Sequence, residues 1–362
     1  MADEQENVTE EMQTLLDKAQ EAYRALCLKE ALDLYQKAKR LDPESFAAHL
    51  GLAKTLTRMR RQDQALDAAQ RALELEPNRS EAHTALGTLY FLADQNEKAR
   101  EALERAIELA PQCPQPRLTL AQVYADLGRS EDAESELERA RELIENIPED
   151  DRRRSLQAIA LHARTYKNLA EGNDEKAMEY AEEIIPLEGA NPHAACLAYA
   201  NLGILEARKR GYGQAIEHLE EAFRLNPYFY RAGGVLGRVL LIQNEYERAA
   251  EVLEKVLDLT PDASGSIHYT HGIALAKLGH RKKAIAKYRK ALQKGVRPLD
   301  SLAARWKIIW LSKRGRYAII GLLLAAVLAW LVLSRPSPQT ITLVAIIAVI
   351  VVLQRIMRRQ RG

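Results

Sequence analysis

The sequence predicts an all-α chain, an α-solenoid of about eight helix-turn-helix units followed by a C-terminal transmembrane helical hairpin. Three observations predict it. Prolines that close apolar-periodic helices recur 34 residues apart, at Pro43, Pro77 and Pro111 and again at Pro227 and Pro261. Alanines recur in the middle of each unit, Ala31, Ala65, Ala99, Ala133, Ala177, Ala215, Ala249 and Ala284, with gaps of 34, 34, 34, 44, 38, 34 and 35. Two apolar runs, 317–334 and 340–357, follow the last unit.

The elements follow in order. Residues 1–11 are an acidic tail with no apolar core, so they do not read as a secretory signal. Residues 12–144 hold units one to four. Gly or Ala at Ala53, Gly87, Ala121, Gly203, Gly237 and Gly272 lets the two helices of a unit cross closely, and Leu and Tyr fill the layer between units. Proline ends each unit because it lacks an N–H and clashes with the preceding turn. No unit can bury its apolar face alone, so the units must stack, leaving a concave inner surface. Residues 145–191 break the pattern. Glu145–Arg154, ENIPEDDRRR, adds ten residues, and the degenerate fifth unit has Asn168 where better copies place Tyr or Leu. A surface insertion, a hinge and a partner-specific bulge all fit this stretch. Residues 192–298 hold units six to eight, the last of them basic.

The repeated residues resemble the 34-residue tetratricopeptide repeat. The third unit carries the resemblance best, with Leu86-Gly87 and Tyr90 on its first helix, Ala99, Leu103 and Ala106 on its second, and Pro111 at its close. Leu120-Ala121, Tyr124, Ala133, Leu137 and Ala140 repeat the set, as do Leu202-Gly203, Ala215, Leu219, Ala222 and Pro227, and Leu236-Gly237, Ala249, Leu253 and Pro261. The resemblance implies a groove lined by the first helix of each unit that holds an extended peptide or a helix. Carried over unit by unit, its lining is Leu50, Lys54, Thr84, Thr88, Phe91, Leu118, Gln122, Arg231 and Arg238. One subclass of the family grips the C-terminal carboxylate of heat-shock chaperones with Lys, Asn and Arg. Leu16, Gln20, Gly51, Glu81 and Ala85 stand at those positions here, and near units six and seven only Asn201 and Arg231 echo the clamp, while His162, Tyr166 and Val235 do not. A chaperone receptor is therefore the weaker expectation.

Charge separates along the chain. The formal net charge is +2, yet residues 1–262 carry 33 basic and 49 acidic side chains, net −16, and residues 263–362 carry 19 basic and one acidic, Asp300, net +18. Unit eight brings Lys282, Lys283, Lys287, Arg289 and Lys290. Residues 299–316 read as a juxtamembrane amphipathic basic helix with Trp306, Lys307, Trp310, Lys313, Arg314 and Arg316, suited to an interface of anionic lipid headgroups. Nucleic acid is not expected, because no aromatic-interleaved groove or basic N-terminal arm accompanies the cations.

The first span, 317–334, is about 18 residues without a charge, close to the roughly 30 Å of a bilayer core at about 1.5 Å per residue. The loop 335–339 leads to a second segment, 340–357, that crosses or re-enters, before a basic tail, 358–362. Lys and Arg flank the outer ends of the pair, with only Arg335 between them, so both ends are expected in the cytoplasm together with the repeat region. Gly321, Ala325 and Ala329, four residues apart, form a small-residue stripe for packing within the hairpin or against another membrane protein.

Catalytic signatures are missing. There is no Gly-rich phosphate loop, nucleophile elbow, His-Glu-x-x-His or calcium loop. The three cysteines, Cys27, Cys113 and Cys196, are isolated, so neither disulfides nor a thiolate metal site is expected. His268, His271 and His280 have no acid or Cys near them in sequence and read as solvated or interfacial. No cofactor is expected, and no enzyme, unless a polar pocket forms around unit five and His162. The expected function is that of a membrane-anchored scaffold or adaptor that recruits or assembles protein partners, the alternative being a stable subunit of a larger membrane complex.

Overall fold

The computed structural model describes residues 2–260 and 263–312, and beyond them 317, 321, 322, 325 and 326. Pro261, Lys313, Arg314, Arg316, Ala329 and nearly all of both predicted spans lie outside the described residues. Among the described residues no helix is long and apolar enough to cross a membrane.

Among the described residues, seventeen α-helices form eight stacked pairs and a final helix. In chain order, α1 (Ala2–Arg24) pairs with α2 (Leu28–Leu41), α3 (Phe46–Arg58) with α4 (Gln62–Leu75), α5 (Ser80–Leu92) with α6 (Asn96–Leu109), and α7 (Pro114–Asp126) with α8 (Ser130–Glu145). The next pairs are α9 (Asp150–Ala170) with α10 (Asp174–Ile184), α11 (Pro192–Arg208) with α12 (Tyr212–Leu225), α13 (Tyr230–Ile242) with α14 (Tyr246–Leu259), and α15 (Gly265–Lys277) with α16 (Arg281–Lys294). Helix α17 (Pro298–Leu311) closes the array.

Each pair is joined by the same device. One residue turns left-handed, at Leu26, Arg60, Asp94, Gly128, Gly172, Arg210, Asn244 and Gly279. The next N–H then donates back five residues, as from Arg61 N to Leu56 O at 3.0 Å or from Gly211 N to Glu206 O at 2.9 Å. This is the Schellman closure, which satisfies the last carbonyls of the first helix. Its left-handed residues are spaced as the mid-unit alanines are, so the helix-turn-helix register is set at both places.

Close approach within a pair depends on missing side chains. A Cβ on Gly87 would stand 2.6 Å from Leu103 Cγ, and one on Gly272 would stand 2.7 Å from Tyr288 Cε1. Both glycines sit sixteen residues before the side chain that occupies their space, in the register predicted from the repeat. Ala31, Ala65, Ala99, Ala133, Ala177, Ala215, Ala249 and Ala284 are all fully buried on the second helices.

Unit five keeps the core continuous. Its extra residues lengthen α9 to 21 residues, and Leu156 and Ala163 join the cluster of Leu118, Leu120 and Leu137 from unit four. Ala158 meets Ala181, Ile184, Ala194 and Ala198 on the way to unit six. Asn168 is 8 % exposed and its Nδ2 donates to Arg164 O, so the polar side chain at this core position is satisfied by its own helix.

The solenoid curls back and touches itself. Tyr228, in the loop before unit seven, is buried in the apolar cluster built from α1 to α5, with Leu225 and Leu259 beside it. Asn226 Nδ2 donates to Arg58 O at 3.4 Å, and the Arg60 guanidinium lies 5.5 Å over the Tyr230 ring.

Candidate protein-binding groove

The first helices of the units face one another across the interior of this turn. Arg58 on α3 acts electrostatically on His193 and Cys196 of α11, and Tyr166 on α9 is an electrostatic neighbour of Arg231 on α13. The second helices lie outside and are laced by exposed pairs such as Arg71–Glu74 at 2.9 Å and Arg105–Glu108 at 2.8 Å. Such pairs contribute only a few tenths of a kcal/mol each.

Cations reach this interior from α3 and α13. Lys54 is exposed within the concavity, whose surrounding walls desolvate the ammonium and lower its pKa against the opposing pull of Glu81. Arg58 stacks 3.7 Å over the Tyr23 ring and donates to Tyr23 O at 2.8 Å. Desolvation lowers His162 to about 4 and puts His193 well below the usual imidazole value, so both rings are neutral at pH 7. One turn along α9 from His162, Tyr166 donates to Asp126 Oδ1 at 2.7 Å and meets the Phe91 ring edge-on at 5.5 Å.

The predicted lining divides in two. Lys54, Arg231 and Arg238 are exposed and face the interior, while Thr84, Thr88 and Gln122 are half-buried with their side chains bonded back to the carbonyls of Ser80, Thr84 and Leu118. Leu50, Phe91 and Leu118 do not line the groove. Leu118 is fully buried, and Leu50 and Phe91 are 8 % and 9 % exposed, because these positions on the first helix point between units and support the groove from beneath. Arg58, Tyr23, His162 and His193 line the interior and were not predicted to. His162 and Tyr166 stand at positions that correspond to the family's carboxylate clamp, and that correspondence is what marks them in the sequence.

The basic end also differs from the expected lipid-facing set. Lys282, Lys283, Arg289 and Lys290 are exposed on α16 and Lys287 is half-buried. Lys307 turns inward, 5.3 Å over the Tyr269 ring and 5.8 Å over Tyr288, where desolvation lowers its pKa. It is one turn from Ala304, the fully buried residue that seats α17, and so belongs to the packed face of that helix. The opposite face is apolar and open. Leu299 is 80 % exposed, Leu302 65 %, Trp306 61 % and Trp310 60 %. Gly321 and Ala325 are exposed, and a Cβ on Gly321 would meet nothing within 4 Å.

His268 and His271 are buried between α15 and α16, not solvated, being 7 % and 0 % exposed. No group of three or more His, Cys, Asp or Glu that could hold a metal occurs among the described residues.

Comparison with known proteins agrees with the fold. Residues 28–89 and 201–264 match family models described as tetratricopeptide repeat, and residues 65–140 match one described as anaphase-promoting complex, cyclosome, subunit 3. Tetratricopeptide repeats are thus matched in two stretches of the chain, one in its first units and one in units six and seven. The small glutamine-rich tetratricopeptide repeat-containing protein 2 of Saccharomyces cerevisiae is 31% identical over 117 residues, 32% of this chain and 33% of that protein. The chain thus matches about a third of the length of this curated relative.

Similar solved structures include the APC/C hetero-tetramer Cut9-Hcn1 (TM-score 0.57, 17% identity, covering 81% of this chain and 55% of that one). Another is the human IFIT1 dimer with m7Gppp-AAAA (TM-score 0.54, 17% identity, covering 81% of this chain and 71% of that one). At these identities the likeness is one of fold.

Proposed function

We propose that this tetratricopeptide-repeat chain is a scaffold that captures a segment of a partner protein in its concave interior and is held at a membrane by its C-terminal end. The observation that carries the binding reading is the contrast between the two surfaces of the turn. Outside, acids and arginines pair with each other along the second helices, whereas inside, Lys54, Arg231 and Arg238 stand exposed on the first helices beside apolar side chains. A surface that leaves cations and hydrocarbon open together is suited to a partner.

The membrane reading rests on α17 and the sequence after it. Leu299, Leu302, Trp306, Ile309 and Trp310 form one exposed stripe on a helix that leads into the apolar run 317–334, and α16 beside it is basic. Trp at a headgroup boundary with Lys and Arg nearby is the arrangement expected of a bilayer-apposed helix. On this reading the repeat region and the C-terminal tail lie in the cytoplasm, the runs 317–334 and 340–357 form the anchor, and the Gly321–Ala325–Ala329 stripe packs within it or against another membrane protein.

Two experiments test these halves. Trp306 and Trp310 fluorescence should be quenched by brominated lipids in vesicles containing anionic headgroups; no quenching would remove the bilayer-apposed role of α17. Protease added to sealed right-side-out cells should leave the repeat region intact, and its digestion would reverse the topology. The match of residues 65–140 to a model of a complex subunit favours a second reading, a permanent subunit of a membrane assembly. Stoichiometric co-purification in mild detergent would select that reading over transient recruitment.

A further inference from the structure

Within the interior, units six to eight form a site of distinct chemistry. A cavity of about 460 Å³ opens between α11, α13 and α15. Its walls include Val235, Ile242 and Ile267, and its rim carries Arg231 and Arg238. The two arginines are seven residues apart on α13, two helical turns, so they stand on one face about 10 Å apart. Gly234 lies between them, and the Ile267 side chain packs 3.2 Å from where its Cβ would stand, so that an aliphatic side chain forms the floor of the cavity between the two guanidinium groups.

Neither Arg231 nor Arg238 makes an ion pair among the described residues, and both are exposed. Arg238 has its pKa lowered, first by desolvation and then by the repulsion of Arg297 and Arg231, with Asp300 opposing. Arg297 is itself occupied by Asp300 at 2.9 Å. Ile242, at 53 % exposure, leaves hydrocarbon open beside them. A second cavity of about 320 Å³ continues past Arg238 to Tyr269 and Ile273, so the trough extends beyond one side chain.

Resting on the scaffold reading above, we propose that the face of units six to eight around Gly234 binds an extended acidic segment of a partner protein, in which two carboxylates about three residues apart engage Arg231 and Arg238 and an apolar residue between them fills the cavity. The spacing follows from geometry, because about 10 Å is spanned by roughly three residues of extended chain. Carboxylate and guanidinium match in bidentate geometry, and like-charged arginines held in a partly desolvated trough gain most from a shared anionic partner. A peptide fits better than a nucleic acid. The −16 net charge of residues 1–262 opposes a polyanion running along the interior, while two carboxylates need only the local field, and the walls are largely aliphatic.

The test uses the full chain in lipid nanodiscs and fluorescein-labelled 12-residue peptides with two Glu separated by one to five residues and a Leu between them, in a Ser/Gly background. Matched peptides carry Lys in place of Glu. Anisotropy should show the two-to-three-residue spacing binding best, at least tenfold more tightly than its Lys counterpart. The double variant Arg231→Glu with Arg238→Glu should lose that binding at least tenfold and gain the Lys peptide, with an unchanged melting temperature since both side chains are exposed. Equal binding of Glu and Lys peptides, or indifference to the charge reversal, would overturn the proposal. If peptides bind but are weakened by Lys54→Ala and not by the Arg231/Arg238 reversal, the scaffold reading stands and this site falls. If no peptide binds and a single-stranded RNA oligomer does, with loss in the double variant, the site is an RNA site and the protein-segment assignment is wrong.

Discussion

Units one to four and unit eight are built on one backbone plan and finished with opposite electrostatics. In the first half the second helices carry their own counter-ions, as in Arg141 with Glu138 and Glu145, and the semi-buried Arg117 bonds Glu136 at 2.7 Å. Helix α16, the second helix of unit eight, has seven Lys or Arg and no acid. The stacking geometry tolerates both because it depends on Ala, Gly and Leu at interior positions, leaving the exposed positions free to choose a partner. Units one to four are electrostatically self-contained, and unit eight leaves positive charge for other molecules.

The two halves meet at Tyr228, which offers the largest way to break the comparison. It is 7 % exposed and packs into the apolar cluster of α1 to α5. Removing a buried aromatic ring costs about 3–5 kcal/mol, so Tyr228→Ala should lower stability by roughly 3 kcal/mol and open the turn. Spin labels on α4 and α12 should show a longer and broader distance distribution. An unchanged distance would mean that the inter-turn contact does not hold the superhelix closed.

The next effect compares equivalent glycines. Gly87→Ala and Gly272→Ala both place a Cβ under 3 Å from the partner side chain, and overpacking of this kind costs about 1–3 kcal/mol. The distribution should differ. Unit three has neighbours on both sides, so Gly87→Ala should lower the main unfolding transition. Gly272→Ala should loosen α15 to α17 alone, since solenoid stability is carried by nearest neighbours. Hydrogen exchange resolved by segment separates the outcomes, and a uniform loss of protection in both variants would contradict near-neighbour stability.

Acid should act unevenly as well. Desolvation, with Lys287 and its neighbours, holds His268 and His271 at about 4, and His162 is held at about 4 by desolvation alone. His193 lies well below its usual value. Unfolded histidines take up protons near pH 6.5. Between these values the unfolded chain holds more protons than the folded one, so stability is full above about pH 6.5 and falls as the pH drops toward 4. Roughly 2–3 kcal/mol in total is expected after discounting for partial solvation. All four rings belong to units five, six and eight, so exchange protection there should fall before that of units one to four. His271→Leu should flatten the slope.

The stacking order was legible because its signal repeats. Ala at the crossing of the helices, Gly sixteen residues before Leu103 or Tyr288, and Pro after the second helix each recur often enough to outweigh a single irregular unit. What was not legible is whatever occurs once. The landing of Tyr228 on the first units joins residues 168 positions apart, as in the Asn226–Arg58 bond, and no period predicts it. The groove was half legible for a related reason. Register alone names the first-helix positions, but a rotation of about 100° per residue decides whether a position meets the interior, as Arg231 and Arg238 do, or the gap between units, as Leu118 does. The same rotation turns Lys307 inward and Trp306 outward on one short helix.

The smallest expected effect tests the turns themselves. The eight left-handed residues include Arg210 in unit six, at φ 67°, and Gly128 in unit four, at φ 71°. A non-glycine residue in that conformation costs about 1 kcal/mol or more relative to glycine, and Arg210 is exposed, so its side chain has little packing to lose. Arg210→Gly should raise stability by roughly 0.5–1 kcal/mol, the relief of strain being partly offset by the greater freedom of glycine in the unfolded chain. Gly128→Ala should lower it by a similar amount, although a Cβ there would meet nothing within 4 Å. Opposite signs at equivalent turns would place the difference in backbone conformation alone. If both variants were neutral, the Schellman closures would carry no strain and the choice of Arg, Asn or Gly at this position would reflect surface charge.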